Sequence, residues 1–282
     1  MDVPVVRSVM ELRTEVATWH GAGLKVALVP TMGALHEGHL TLVQRAREVA
    51  GRVVVSIFVN PTQFGPNDDF DRYPRTEDDD RRRLATVGTD LLYAPGVEAM
   101  YPPGFSTTVT VGVVGEGLCG DFRPGHFAGV ATVVTKLLLQ AQPDIALFGE
   151  KDYQQLQVIR RLARDLDIPV TIEGVPTVRE ADGLAMSSRN RYLSGEERRT
   201  AAALPATLQR IATAISGGAD VVASCAQAKM ELVKAGFDRV EYLEVRDAAT
   251  LALLTAAPIT RPARVLVAAW LGRTRLIDNL HV

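Results

Sequence analysis

Two histidines three residues apart, in His36-Glu37-Gly38-His39, are the most chemically pointed feature of this sequence. They follow an apolar run, Val26 to Val29, β-branched at its ends and too short for a helix, which reads as a buried parallel strand. Pro30, Thr31, Met32 and Gly33 interrupt it, and Leu40, Val43 and Ala46 then recur at helical spacing. The imidazoles therefore stand where a helix begins. Residues three apart on a helix share a face, so both rings are expected to point into the space above the carboxyl end of the strand. Backbone N–H groups and the positive end of the helix dipole face the same place, which suits a phosphate. On spacing alone a metal pair and two ordinary surface histidines stay open, although no cysteine is near and no HExxH is present.

Four further stretches carry polar chemistry. Phe148-Gly149-Glu150-Lys151-Asp152-Tyr153 sits where another strand gives way to a helix. Gly149 permits close backbone approach and Lys151 offers a point charge, unless this is an ordinary βα turn with a solvated lysine. Met186-Ser187-Ser188-Arg189-Asn190 places two hydroxyls and a guanidinium in one loop, either a phosphate clamp or a capping segment. Asn60-Pro61-Thr62-Gln63-Phe64-Gly65 follows a strand. There Gln63 is a neutral donor and acceptor, though Asn-Pro and Gly also form turns. Asp78-Asp79-Asp80 is a candidate Mg²⁺ cluster or a solvated first helical turn. Most of these lie at strand ends or at a domain junction, a placement that favours one shared crevice.

The elements needed to position them follow from periodicity. Residues 8–20 read as a helix with a Ser8 and Glu11 capping box. Strands are expected at 26–29, 52–60, 91–93, 145–148 and 170–172, with a weaker alternation at 107–111. Helices are expected at 76–87, capped by Thr76, at 126–142 and at 153–166. This alternation predicts an α/β fold with a doubly wound, Rossmann-like parallel sheet, whose ligands bind beyond the carboxyl ends of the strands. Near residue 176 the pattern changes. Helices at 194–216, bent by Pro205, and at 220–235 precede alternating strands at 239–245, 265–271 and 275–282, which predicts a second, smaller α+β domain. The expected domains are 1–176 and 177–282, the latter a plausible lid.

Composition narrows the class. The 282 residues are 47% hydrophobic, with a net charge of −2, so no basic stripe argues for nucleic acid or an anionic membrane surface. Cys119 and Cys225 are far apart without a CxxC, as expected in a reducing compartment. The opening residues lack the apolar core of a signal peptide, and no apolar stretch reaches the ~20 residues needed to span a bilayer. A soluble cytoplasmic protein is expected. A dehydrogenase is disfavoured because no GxGxxG follows the first strand.

PTMGALHEGH, FVNPTQFG, FGEKDYQQ and MSSRNRYL resemble, in this order, the motifs of the pantoate–β-alanine ligase (pantothenate synthetase) family. The similarity runs from about Val26 to Asp278. His36 to His39 is similar to the HxGH signature of a wider nucleotidyltransferase superfamily, and MSSRN to its KMSKS-type loop. The resemblance implies that ATP and pantoate give pantoyl adenylate and pyrophosphate, after which β-alanine releases AMP and pantothenate. It implies that His36 and His39 face the phosphates, with His39 in an acid role, and that Lys151, Ser187, Ser188 and Arg189 hold them. Met32, Gly33, Gly149, Asp152, Val178 and Met186 are then expected around the nucleotide. Gln63, Gln155 and Asn60 are expected at pantoate and β-alanine. A family Mg²⁺ site would fall on Asp79, Asp80 and position 83, but Arg83 is no metal ligand, so Mg²⁺ is expected to arrive with ATP. A homodimer is also implied. A nucleotidyltransferase making a dinucleotide-like product, which would not need the NPTQFG and EKDYQQ segments, and a nucleotide-sensing module without turnover are the rival readings.

Overall fold

The computed structural model describes residues 2–66 and 68–282. The chain divides into two compact units: the residues up to Glu150 together with Val158–Pro176, and Lys151–Gln157 together with Thr177–Val282.

The first unit runs β1 (Val5–Val6), α1 (Val9–Gly21), β2 (Val26–Thr31), α2 (Glu37–Val49), β3 (Arg52–Ile57), α3 (Glu77–Thr86), β4 (Leu91–Tyr93), α4 (Val97–Met100), α5 (Cys119–Phe122), α6 (His126–Ala141), β5 (Ile145–Gly149), α7 (Tyr153–Asp165) and β6 (Thr171–Val175). The first residues of α7, to Gln157, group with the second unit. The strands form one sheet in the order β1-β4-β3-β2-β5-β6, and every neighbouring pair is parallel. This is the doubly wound α/β sheet the alternation predicts. Val26 to Val29 and Val53 to Val55 are fully buried, as central parallel strands covered on both faces must be. After β2 the chain builds outward through β3 and β4, then returns to add β5 on the other side of β2. That reversal opens a crevice beyond the carboxyl ends of the central strands.

Several local expectations are corrected. β1 was not anticipated: its two residues are too few to show a period, and it is defined only by pairing with Leu92 and Tyr93. The alternation at 107–111 forms no strand; Val109 N–H instead donates to Thr132 Oγ1. β3 stops at Ile57, because Asn60 caps a short 3-10 turn, Pro61–Gln63, through Thr62 N–H. Ser8 and Glu11 do close the capping box of α1. Thr76 starts α3 without a side-chain cap, its hydroxyl donating to Asp80 instead.

The second unit contains α8 (Gly195–Ala201), α9 (Ala203–Ser216), α10 (Val221–Lys234) and the antiparallel strands β7 (Arg239–Asp247), β8 (Ala263–Leu271) and β9 (Thr274–His281), in the order β7-β8-β9. Leu204, Leu208, Ile211 and Leu232 share its core with Val265 and Val267. The break expected at Pro205 falls at Ala202, so one bent helix is two. Pro205 is in the first turn of α9, where a missing N–H costs no intrahelical bond.

Candidate active site

β3, β2 and β5 are adjacent; the loops leaving the carboxyl ends of β3 and β2 carry Asn60 and Gln63, and Met32 and Gly33, while Gly149 is the last residue of β5 itself. The loop after β2 leads to the histidines. His36 is the N-cap of α2, in extended conformation, and not part of the helix. Its Nδ1 accepts from Gly38 N–H at 3.1 Å, and His39 Nδ1 accepts from His36 N–H at 3.3 Å. The rings lie 4.1 Å apart between centroids, inclined at 43°. They meet through a capping box, not through a shared helical face as the spacing implied. Because each Nδ1 receives a backbone hydrogen, each neutral ring carries its own hydrogen on Nε2. Both imidazoles are thus donors at the positive end of α2.

The approach to this helix is pinned by Asp80. Its carboxylate accepts from Ala34 N–H at 2.9 Å, Leu35 N–H at 2.7 Å and the Thr76 hydroxyl at 3.1 Å. Asp80 is 1% exposed, so it is neither a solvated first-turn acid nor presented as a metal ligand. Asp79 pairs with Arg82 across one helical turn. Among the described residues no group of three His, Cys, Asp or Glu side chains is arranged to hold a metal ion. The residues present therefore do not fit a protein-held Mg²⁺ at Asp79–Asp80. Gly33 turns the same loop at φ +84°, where a Cβ would lie 3.1 Å from Asp80 Oδ2.

Asn60, Gln63 and Met32 come together. Asn60 Nδ2 donates to Gln63 Oε1 at 2.9 Å, and Gln63 Nε2 lies 3.1 Å from Met32 Sδ. Asn60 is 1% exposed and its amide is fully engaged. Its second hydrogen goes to Gly129 O, and its oxygen accepts from Thr62 N–H, the Thr62 hydroxyl and Tyr101 OH. A substrate contact by Asn60, expected from the motif, has no amide group left to make it; Asn60 stands behind Gln63 and fixes which way its amide faces. Burial, only partly opposed by the Thr62 hydrogen bond, pushes the Tyr101 hydroxyl above its ordinary pKa, so it stays a donor.

In the second unit, the turn bearing Lys151 and Asp152 is fastened to the antiparallel sheet. Lys151 O accepts from Asn279 Nδ2 at 3.1 Å. Tyr153 OH donates to Ala248 O at 2.8 Å, and the Arg264 guanidinium lies 4.0 Å above the Tyr153 ring. Lys151 Nζ is 3.7 Å from Asp152 Oδ2, and Gln155 follows, partly buried, in α7. Met186 N–H donates to Val178 O at 3.0 Å, bringing these two residues side by side. Ser187 caps a 3-10 turn, Ser188–Tyr192, by accepting from Arg189 N–H at 3.2 Å. The capping reading of Ser187 thus holds, and it leaves Ser188 and Arg189 on a defined turn. Arg198 grips this segment from α8 through Glu180 and Asp182.

A family model described as pantoate-beta-alanine ligase matches residues 4–281. The chain belongs to the pantoate-beta-alanine ligase family. It is 63% identical to the pantothenate synthetase of Paramagnetospirillum magneticum over 99% of this chain and 98% of that one. Pantothenate synthetase from Thermus thermophilus has the same fold, with a TM-score of 0.90 and 49% identity over 99% of both chains. Pantoate-beta-alanine ligase from Francisella tularensis, complexed with beta-gamma ATP and beta-alanine, superposes with a TM-score of 0.82 at 31% identity, covering 99% of this chain and 97% of that one. The six-stranded parallel sheet and the three-stranded C-terminal unit are thus those of a pantoate-beta-alanine ligase.

Sequence reasoning about this ligase missed Asp80 as a loop anchor and missed Tyr101, Asp68, Arg123 and His126 altogether. Tyr101, Asp68 and Arg123 belong to Gly- and Pro-rich segments with no period to read, and His126 was legible only as the first residue of the helix expected at 126–142. The one available signal was Arg123-Pro124-Gly125-His126, two polar side chains flanking a turn just before an apolar helix.

Proposed function

We propose that the enzyme condenses pantoate with β-alanine through a pantoyl adenylate, with ATP as the activating substrate and Mg²⁺ as its counter-ion. In the first step a pantoate carboxylate oxygen attacks the α-phosphorus, and the bond to the β-phosphate oxygen breaks to release pyrophosphate. In the second step the β-alanine amine attacks the acyl carbon and loses a proton, and the C–O bond to AMP breaks.

The observation that carries this reading is the locked pair His36 and His39, two Nε2–H donors at the start of α2 beside the central strand. A negative carboxylate must approach a negative phosphate, and charge grows on the departing pyrophosphate. Preorganised donors and positive charge aimed at that oxygen are the largest source of acceleration available to such a site. We assign His39 the acid role, with His36 beside it, and we assign phosphate contacts to Lys151, Ser187, Ser188 and Arg189. Met32, Gly33, Gly149, Asp152, Val178 and Met186 are assigned to the nucleotide. Gln63 and Gln155 are assigned to pantoate. Gln63 suits the task because Asn60 donates to its oxygen and Met32 Sδ takes one hydrogen of its NH₂, leaving the other hydrogen to meet a carboxylate or hydroxyl. A neutral amide orients a carboxylate without quenching its nucleophilicity as an arginine would.

No described helix is long and apolar enough to cross a membrane. Both cysteines are buried and neither forms a disulfide, which fits a reducing cytoplasmic compartment. The test is direct: protein, Mg-ATP, pantoate and β-alanine are mixed, and AMP, pyrophosphate and pantothenate are measured. The expected result is equimolar AMP and pantothenate, with pyrophosphate release that depends on pantoate. Pyrophosphate formed without pantoate would favour a dinucleotide-forming transferase and overturn the reading.

A further inference from the structure

Gln63 is held by its backbone as well as by its side chain. Its carbonyl oxygen lies 2.9 Å from His126 Nδ1 and accepts from Arg123 Nη2 at 3.3 Å. A carbonyl only accepts, so His126 Nδ1 must carry a hydrogen. On the other side of the ring, Arg123 Nη1 lies 3.1 Å from His126 Nε2. A guanidinium only donates, so Nε2 must offer its lone pair. The two contacts together admit one form of the ring, the neutral Nδ1–H tautomer. This is the reverse of His36 and His39.

The rest of the network closes around the same turn. Arg123 Nη2 also reaches Asp68 Oδ2 at 2.7 Å, and that oxygen accepts from Gly65 N–H at 2.9 Å. Gln63 O and Gly65 N–H are therefore gripped by one Arg–Asp–His cluster, while Asn60 orients the Gln63 amide. The side chains of Arg123 and Asp68 are 19% and 29% exposed, so the cluster is partly buried and its bonds are worth more than at a fully exposed surface. Gly129 lets α6 approach closely enough to allow this, since its Cα has Thr62 O where a Cβ would stand.

We propose that His126, in its neutral Nδ1–H tautomer, is a positioning residue for Gln63, with Arg123 holding the ring in that form. The proposal rests on the reading of Gln63 as a pantoate ligand. His126 does not touch pantoate; it keeps the Gln63 backbone where the amide can. Removing it should weaken pantoate use and leave ATP use alone.

Two variants separate the chemistry from simple packing. His126→Leu removes both ring nitrogens. His126→Asn keeps a donor close to the Nδ1 position. For His126→Leu the KM for pantoate should rise about tenfold, the scale of one to two net hydrogen bonds, with the KM for ATP unchanged. His126→Asn should recover most of that loss. In the native enzyme, ¹⁵N correlation spectra of labelled histidine should show one ring with the Nδ1–H pattern that His126→Asn removes. In a Gln63→Ala background, His126→Leu should add nothing to the pantoate KM. Equal shifts in both KM values, a failure of His126→Asn to rescue, an additive double variant or an Nε2–H spectrum would each overturn the proposal. Gln63→Ala alone distinguishes the levels. If it leaves the pantoate KM unmoved, the ligand reading falls and takes the proposal with it. If it raises that KM while His126→Leu does not, only the role of His126 is refuted.

Discussion

Replacing Asp80 by alanine should damage the fold of the first unit more than any acid-run reading of Asp78-Asp79-Asp80 allows. Each carboxylate oxygen of Asp80 accepts a backbone N–H, from Ala34 at 2.9 Å and Leu35 at 2.7 Å. Both amides belong to buried residues, and Ala34 sits at φ 52°, a left-handed conformation that costs a non-glycine residue about 1 kcal/mol or more. An orphaned buried N–H costs about 1–3 kcal/mol. Two of them together give about 2–6 kcal/mol, a large share of the ~5–15 kcal/mol that holds a typical domain together. Asp80→Asn should be no milder than alanine, because one carboxylate oxygen becomes an NH₂ pointing at an N–H. Native-state hydrogen exchange reads this locally: the Ala34 and Leu35 amides should lose protection in both variants, while amides in β8 keep theirs. Variants within about 1 kcal/mol of the parent, with both amides still protected, would refute the argument. A native stability that rises with free Mg²⁺ and ceases to do so in Asp80→Asn would show that the carboxylate holds a metal after all.

His39→Ala should reduce pantoate-dependent pyrophosphate release by about a hundredfold or more, the scale on which removal of a preorganised donor or acid acts; near-normal turnover would exclude His39 from the chemistry. Gly129→Ala would place a Cβ 2.4 Å from Thr62 O and 2.8 Å from Gln63 Cα. It should cost about 1–3 kcal/mol by overpacking and raise the pantoate KM, whereas Gly21→Ala, with nothing within 4 Å of its added Cβ, should do neither. Asp247 accepts from Thr250 N–H, the Thr250 hydroxyl and Ala249 N–H. These bonds, with Thr250 N–H first, hold its carboxyl below the ordinary range against the opposing effect of burial. The unfolded state then binds the proton more readily, so this contribution is present above the ordinary carboxyl pKa of about 4 and fades as pH falls below it. Asp247→Asn should lower the Tm at neutral pH and flatten its decline in acid; an unchanged acid limb would count against it.

Much of this could be read from the letters. The short apolar runs Val26 to Val29 and Val53 to Val55 read as parallel strands, because a sheet covered on both faces buries consecutive apolar residues. Ser8 with Glu11 announced a helix start for the same local reason. What resisted reading was whatever depended on a partner distant in sequence. Asp80 looks like the third acid of a solvated run, and its burial follows only from the loop 46 residues earlier that donates to it. The two-residue β1 has meaning only beside β4. The second unit's hold on Lys151 through Asn279 spans 128 positions.

The histidines show the same limit within a few residues. Spacing said that His36 and His39 meet, and they do, but it could not say which nitrogen each presents. Hydrogen-bond donors and acceptors settle that. The backbone N–H groups at the start of α2 claim both Nδ1 atoms, so each neutral ring carries its hydrogen on Nε2. At His126 the Gln63 carbonyl claims a hydrogen on Nδ1, and the guanidinium of Arg123 claims the lone pair on Nε2. Three imidazoles in one unit are thus set in two opposite tautomers by nothing more than the groups that face them. Under the proposed function a phosphate oxygen calls for the first kind of ring, a donor, and the Gln63 turn, held from behind, calls for the second. Exchanging the two arrangements would cost each site the hydrogen bond it is built around, so the tautomers are as much a part of the site as the residue types themselves.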